Sequence, residues 1–109
     1  MSRARAALAV CVLALLGICG LSGCAAADVR TVEGLVVDVV STSPADVQSF
    51  TLRTPGGEVL RFSIGQLDLA NGGFPPAHLR EHQTLAEPIR VTYQQEGDRR
   101  VAVRLEDGG

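Results

Sequence analysis

The densest chemistry in this sequence lies in five consecutive residues, His78-Leu79-Arg80-Glu81-His82. On a helix, residues four apart share a face, so His78 and His82 can reach one metal ion while Glu81 activates a bound water. Two imidazoles leave a tetrahedral ion short of protein ligands, and no third ligand is identifiable in the chain. The same spacing fits a structural role. His82 lies three residues after Leu79 and three before Leu85, where it flanks an apolar stripe with one nitrogen hydrogen-bonded, and His78 sits in the first turn facing water. The structural role is the expectation here; a metal- or small-ligand site built on His78 and His82 is the alternative.

The string also resembles the H-x-x-E-H motif of the inverzincin metalloproteases. That resemblance implies a third ligand on another helix and a large enclosing domain, and the chain offers neither. No other constellation supports catalysis. Ser63 sits in no nucleophile elbow, Gly56-Gly57 and Gly72-Gly73 read as turns, and Glu106-Asp107 lie in the C-terminal tail as solvating charge. The expectation is a protein without enzymatic activity and without a cofactor.

The first 23 residues read as an address. Arg3 and Arg5 give a cationic start, Ala6 to Ile18 is apolar, and small residues follow, which is the layout of an export signal. The apolar run is shorter than the ~20 residues that span a bilayer as a helix. Leu21-Ser22-Gly23-Cys24 resembles the lipobox of bacterial lipoproteins: an aliphatic residue, two small residues and a cysteine. The resemblance implies cleavage before Cys24, a diacylglycerol on its thiol and acylation of the new amino group. Two or more acyl chains hold a small domain firmly on a membrane, at ~0.8 kcal/mol per buried methylene. The implied location is the cell membrane, lipid-anchored on its extracytoplasmic side. Cys11 and Cys19 would leave with the leader, so the mature chain would carry no disulfide and must rest on its core.

From Cys24 to Gly109 the chain has 86 residues, room for one domain. Residues 24–29 read as the lipidated N-terminus and a short tether, and residues 30–109 as the domain. Without Arg3 and Arg5, eight arginines face twelve acidic residues, a net charge of −4. Such a domain is not drawn to polyanions.

Alternation and punctuation predict the elements. Arg30 to Val40 is rich in β-branched residues, with Gly34 at a bend or bulge. Ser41 to Asp46 reads as a loop. Val47 to Thr54 and Glu58 to Ile64 form a hairpin whose inward residues, Phe50, Leu52, Leu60, Phe62 and Ile64, are all even-numbered. Facing residues share a face, so the loop must hold an odd number of residues: Pro55-Gly56-Gly57, a type I turn closed by a bulge, with Phe50 opposite Phe62. Gly65 to Phe74 reads as irregular. Ala77 to Ala86 reads as a short helix, started by Pro76 and ended by Pro88, with Leu79, Leu85 and Ala86 as its apolar stripe. Ile89, Val91 and Tyr93 alternate, as do Val101, Val103 and Leu105, around a turn at Glu96-Gly97-Asp98.

The fold class expected is therefore mainly β, with one short helix between strands 3 and 4 of a small five-stranded barrel. This order resembles the OB-fold, the oligonucleotide/oligosaccharide-binding barrel. Nucleic-acid binding does not come with the fold. It needs exposed aromatic platforms in a positive groove, and alternation points Phe50, Phe62 and Tyr93 inward, leaving Phe74 alone for display. Strand pairing puts Thr51 opposite Arg61, with Arg53 diagonally beside Arg61 on the outer face. These two guanidiniums form a cationic spot suited to a carboxylate or phosphate. The reading is a lipid-anchored, non-catalytic binding or assembly module, held on the membrane through Cys24, with an envelope protein or an anionic ligand as partner.

Overall fold

In the computed structural model, which describes residues 28–109, the five strands close into a barrel. They are β1 (Asp28–Ser43), β2 (Asp46–Arg53), β3 (Val59–Ile64), β4 (Ile89–Glu96) and β5 (Arg99–Asp107). A 3₁₀ turn (Pro76–His78) runs into α1 (Leu79–Leu85) between β3 and β4. The order around the barrel is β1-β2-β3-β5-β4, with β3 and β5 parallel and the other pairs antiparallel. This is the barrel and helix placement expected from the sequence. The leader, Cys24 and the tether to residue 27 lie outside the described residues. Among the described residues, no helix is long and apolar enough to cross a membrane.

β1 closes the barrel because it is shared by two neighbours. Asp28 to Gly34 pair with β4, and Leu35 to Ser43 pair with β2. The handover falls at Gly34, where a Cβ would come within 2.9 Å of the Arg53 carbonyl carbon. Only glycine lets the two backbones approach this closely. The first of three register shifts against β2 lies three residues on: Val37 is extra between the pairs Val36↔Leu52 and Asp38↔Thr51. It moves the inward set from Val36 to Val39, both buried. β1 also starts two residues before the expected Arg30 and runs through much of the expected loop, leaving Pro44-Ala45 as the turn.

The β2–β3 hairpin takes the parity-determined form. Phe50 faces Phe62 and Thr51 faces Arg61. The Gly57 N–H donates to the Thr54 carbonyl at 2.9 Å, and Gly57 has φ +91°. Among the described residues, the core is fourteen buried apolar residues, all within the barrel, its adjoining loop and its helix. Phe50 and Phe62 stack with centroids 5.1 Å apart, and Tyr93 meets Phe62 edge-on at 5.0 Å. Such pairs contribute about 0.5–1.5 kcal/mol each beyond their buried area.

Three expectations are corrected. Leu85 is 57% exposed, and Ala86 is exposed in the left-handed conformation (φ 54°) that ends α1. Six residues carry Leu85 well away from the face of Leu79; positions i+3 and i+4 are His82 and Gln83, and these are the half-buried ones. In β5, Val103 is a bulge between the pairs Thr92↔Arg104 and Tyr93↔Ala102. The inward residues are therefore Ala102 and Leu105, with Val101 and Val103 outside the core. Phe74 is buried at 7% exposure, not displayed, because its N–H donates to the Leu105 carbonyl and its ring is covered by histidine.

Candidate functional site

Around the outside of the barrel the arginines fall into three groups by partner. Arg30 pairs with Asp28 at 2.7 Å, Arg90 with Glu33 at 2.9 Å, and Arg104 with Asp68 at 3.1 Å and Glu106 at 3.2 Å. These hydrogen-bonded carboxylates raise the Arg30 and Arg104 guanidiniums above their ordinary value, through Asp28 and Glu106 first. Arg80 donates to the Ser41 hydroxyl at 2.7 Å and fastens α1 to β1. Arg53, Arg61, Arg99 and Arg100 have no carboxylate within ion-pair distance among the described residues.

Three of those four meet in one place. The parallel register Ser63↔Val101 brings Arg61 level with Arg99 across the β3–β5 seam. Arg61, Arg99 and Arg100 line a cleft of about 300 Å³ together with Ser63 and Asp98. Asp98 belongs to the β4–β5 turn and forms no ion pair with them. Arg61 donates to the Ser49 hydroxyl at 3.2 Å, which holds its guanidinium on the far diagonal from Arg53. The two arginines paired in the sequence reading thus share a face of the hairpin but line different cavities: Arg53 lines one beside Gly34. Alternation within the hairpin could not bring in Arg99 and Arg100, because their proximity comes from a parallel contact between strands more than thirty positions apart.

The histidines are placed by Phe74. His82 stacks on its ring at 4.7 Å with planes 14° apart, and His78 stacks on it at 5.9 Å. His78 is exposed, whereas the His82 side chain is only 12% exposed. The two His82 nitrogens approach different carboxylates: Nε2 lies 3.3 Å from Asp107 and Nδ1 3.8 Å from Glu87. Nδ1 is buried without a hydrogen-bond partner. Carboxylates at opposite edges of one ring do not converge on a common ion. Among the described residues, no group of three or more His, Cys, Asp or Glu side chains could hold a metal.

With Phe74 buried, none of the described phenylalanine or tyrosine side chains is displayed on the surface. Comparison with protein-family models, curated proteins and solved structures gives no match.

Proposed function

We propose that this chain is a lipid-anchored, extracytoplasmic binding module without catalytic activity, and that it docks an acidic segment of a protein partner at the β3–β5 seam. The observation that carries the reading is the convergence of Arg61, Arg99 and Arg100 on one cleft without a carboxylate partner. On a domain with four more acidic than basic residues, three uncompensated guanidiniums in one cleft are a local inversion of charge. Arginine suits this role because its planar fork takes a carboxylate through two hydrogen bonds. The face agrees with the fold, since OB barrels bind through strands 2 and 3 and the adjoining β4–β5 loop. The burial of every described phenylalanine and tyrosine favours protein over single-stranded nucleic acid. The anchor rests on the lipobox-like Leu21 to Cys24, and the reading as a module follows from the size of the single barrel.

Titrating isotope-labelled residues 28–109 with a polyglutamate peptide tests the docking face. The expected result is saturable shifts at Arg61, Ser63, Arg99 and Arg100 that weaken steeply with salt and vanish in an R61E/R99E/R100E variant. Shifts centred on another face would overturn the assignment. Stronger binding to anionic vesicles than to the peptide would replace the protein partner with a lipid headgroup.

A further inference from the structure

Arg53 has a cavity of its own, independent of the docking cleft. It lies between Gly34 of β1 and the tip of the β2–β3 hairpin and holds about 400 Å³, within the ~300–1,000 Å³ typical of small-molecule sites. Leu35, Pro55 and Pro88 give it apolar walls, and Glu33, Arg53 and Thr54 supply its polar side chains.

The hydrogen-bonding capacity of those polar groups points one way. Both Glu33 oxygens already accept a hydrogen bond: Oε2 from Arg90 at 2.9 Å, and Oε1 from the Gly109 N–H at 3.3 Å. The Thr54 hydroxyl accepts from the Glu58 N–H at 3.2 Å, which leaves its own proton to donate. Arg53 has neither an ion pair nor a side-chain hydrogen bond among the described residues. The donors left uncommitted are therefore the Arg53 guanidinium and the Thr54 hydroxyl proton, and a ligand that engages them must bring the acceptors. A guanidinium fork beside proline and leucine walls selects a charged acceptor joined to an apolar body.

We propose that this cavity binds a small apolar monocarboxylate, with the carboxylate on Arg53 and the Thr54 hydroxyl and the body against Leu35, Pro55 and Pro88. The carboxylate can belong to a free acid or to the C-terminus of a peptide, since both present the same group. Glu33 sets the specificity against a second anionic charge. Its carboxylate stays ionised, held below its ordinary range by the Arg90 hydrogen bond first and then by the Gly109 N–H. A dicarboxylate or a phosphate would bring a second negative charge into a cavity whose lining already includes this carboxylate.

Amide-shift titration of residues 28–109 tests the assignment, with 3-phenylpropionate, the neutral 3-phenylpropanol, inorganic phosphate and a phenylalanine-terminated tripeptide carrying a free or amidated C-terminus. The acid should shift the Gly34, Leu35 and Thr54 amides saturably. The alcohol and phosphate should bind at least about tenfold more weakly, and Arg53→Gln should weaken the acid by a similar factor, as loss of a charge-assisted hydrogen bond does. If the free-terminus tripeptide outbinds the acid and its amide does not, the source is a chain terminus; the opposite order identifies a free acid. Equal binding of acid and alcohol would overturn the proposal. So would acid binding that survives Arg53→Gln in a variant with the parent's thermal midpoint, or the absence of saturable shifts at those three amides with every carboxylate probe.

Discussion

Gly34→Ala tests the close approach of β1 to β2 on which both the barrel closure and the Arg53 cavity depend. An added Cβ would meet Arg53 backbone, within 2.9 Å of its carbonyl carbon, and would lie 3.1 Å from Leu52 Cγ. Ordinary contact begins near 3.4 Å, so β1 and β2 must separate by at least half an ångström where they are locked by the pairs Leu35↔Arg53 and Val36↔Leu52. Leu52 is fully buried and cannot swing aside. Overpacking of this kind costs about 1–3 kcal/mol, and the upper half of that range applies because backbone, not a side-chain tip, must move. For a domain of this size each kcal/mol lowers the thermal midpoint by about 4–8 °C, so a fall of about 10–20 °C is expected in circular-dichroism melts of residues 28–109. Gly56→Ala is the matched control, because the only neighbour of its Cβ is Thr54 Oγ1 at 3.9 Å. A Gly34→Ala midpoint within about 2 °C of the parent would refute the close crossing and, with it, the shape of the cavity.

Three further outcomes are expected. Arg104→Met should speed amide exchange at Asp68 and Phe74 by more than about tenfold while leaving the β1–β2 amides unchanged, because Arg104 fastens the Gly65–Phe74 loop through Asp68 and the Asn71 carbonyl. Glu33 has a folded-state pKa below its ordinary 4.5, so its contribution to stability is present above pH 4.5 and is lost as pH falls below it. A Glu33→Gln variant should therefore lose stability at neutral pH and show a flatter acid dependence than the parent in denaturant titrations across that window. Cys24→Ser should leave the full-length protein unprocessed or soluble; parental membrane partitioning at the mature size would refute the lipobox reading.

The sheet was legible in the sequence wherever strict alternation held. The hairpin parity of Phe50, Leu52, Leu60 and Phe62 determined its loop length and register, since one residue of slip would expose the whole inward set. Bulges defeat the same reasoning. Val37 and Val103 each add one residue, reverse the parity of their strand and leave no compositional mark, because valine is as common inside a sheet as outside it. Within the correctly placed helix, Leu85 and Ala86 were assigned to the buried stripe by type, although angular position sets the half-buried His82 and Gln83 beside Leu79 instead. Of the candidate site, Arg61 and Arg53 were found on the outer face as expected. Their separation follows from the Ser49 hydroxyl drawing Arg61 aside, an interaction that pairing alone does not specify.

Closure of the barrel also constrains how a partner can bind. An open sheet edge recruits a partner strand through its unpaired backbone groups. Here the weakest seam is β3–β5, with two paired positions, Ser63↔Val101 and Ile64↔Ala102. The irregular Gly65–Phe74 loop continues that seam: Gly65, Asp68 and Phe74 donate to the carbonyls of Ala102, Val103 and Leu105, each at 2.9 Å. Arg104 holds the loop there through Asp68 and the Asn71 carbonyl. With these carbonyls occupied, strand addition along this part of β5 would first have to displace a loop held by several hydrogen bonds. Recognition at the seam must then come from side chains, and the side chains left without carboxylate partners are those of Arg61, Arg99 and Arg100. Attraction through exposed guanidiniums is screened beyond about 8 Å at physiological salt. On the proposed docking, the partner brings its acidic groups into the cleft itself, and added salt should weaken the complex more than loss of any single apolar contact.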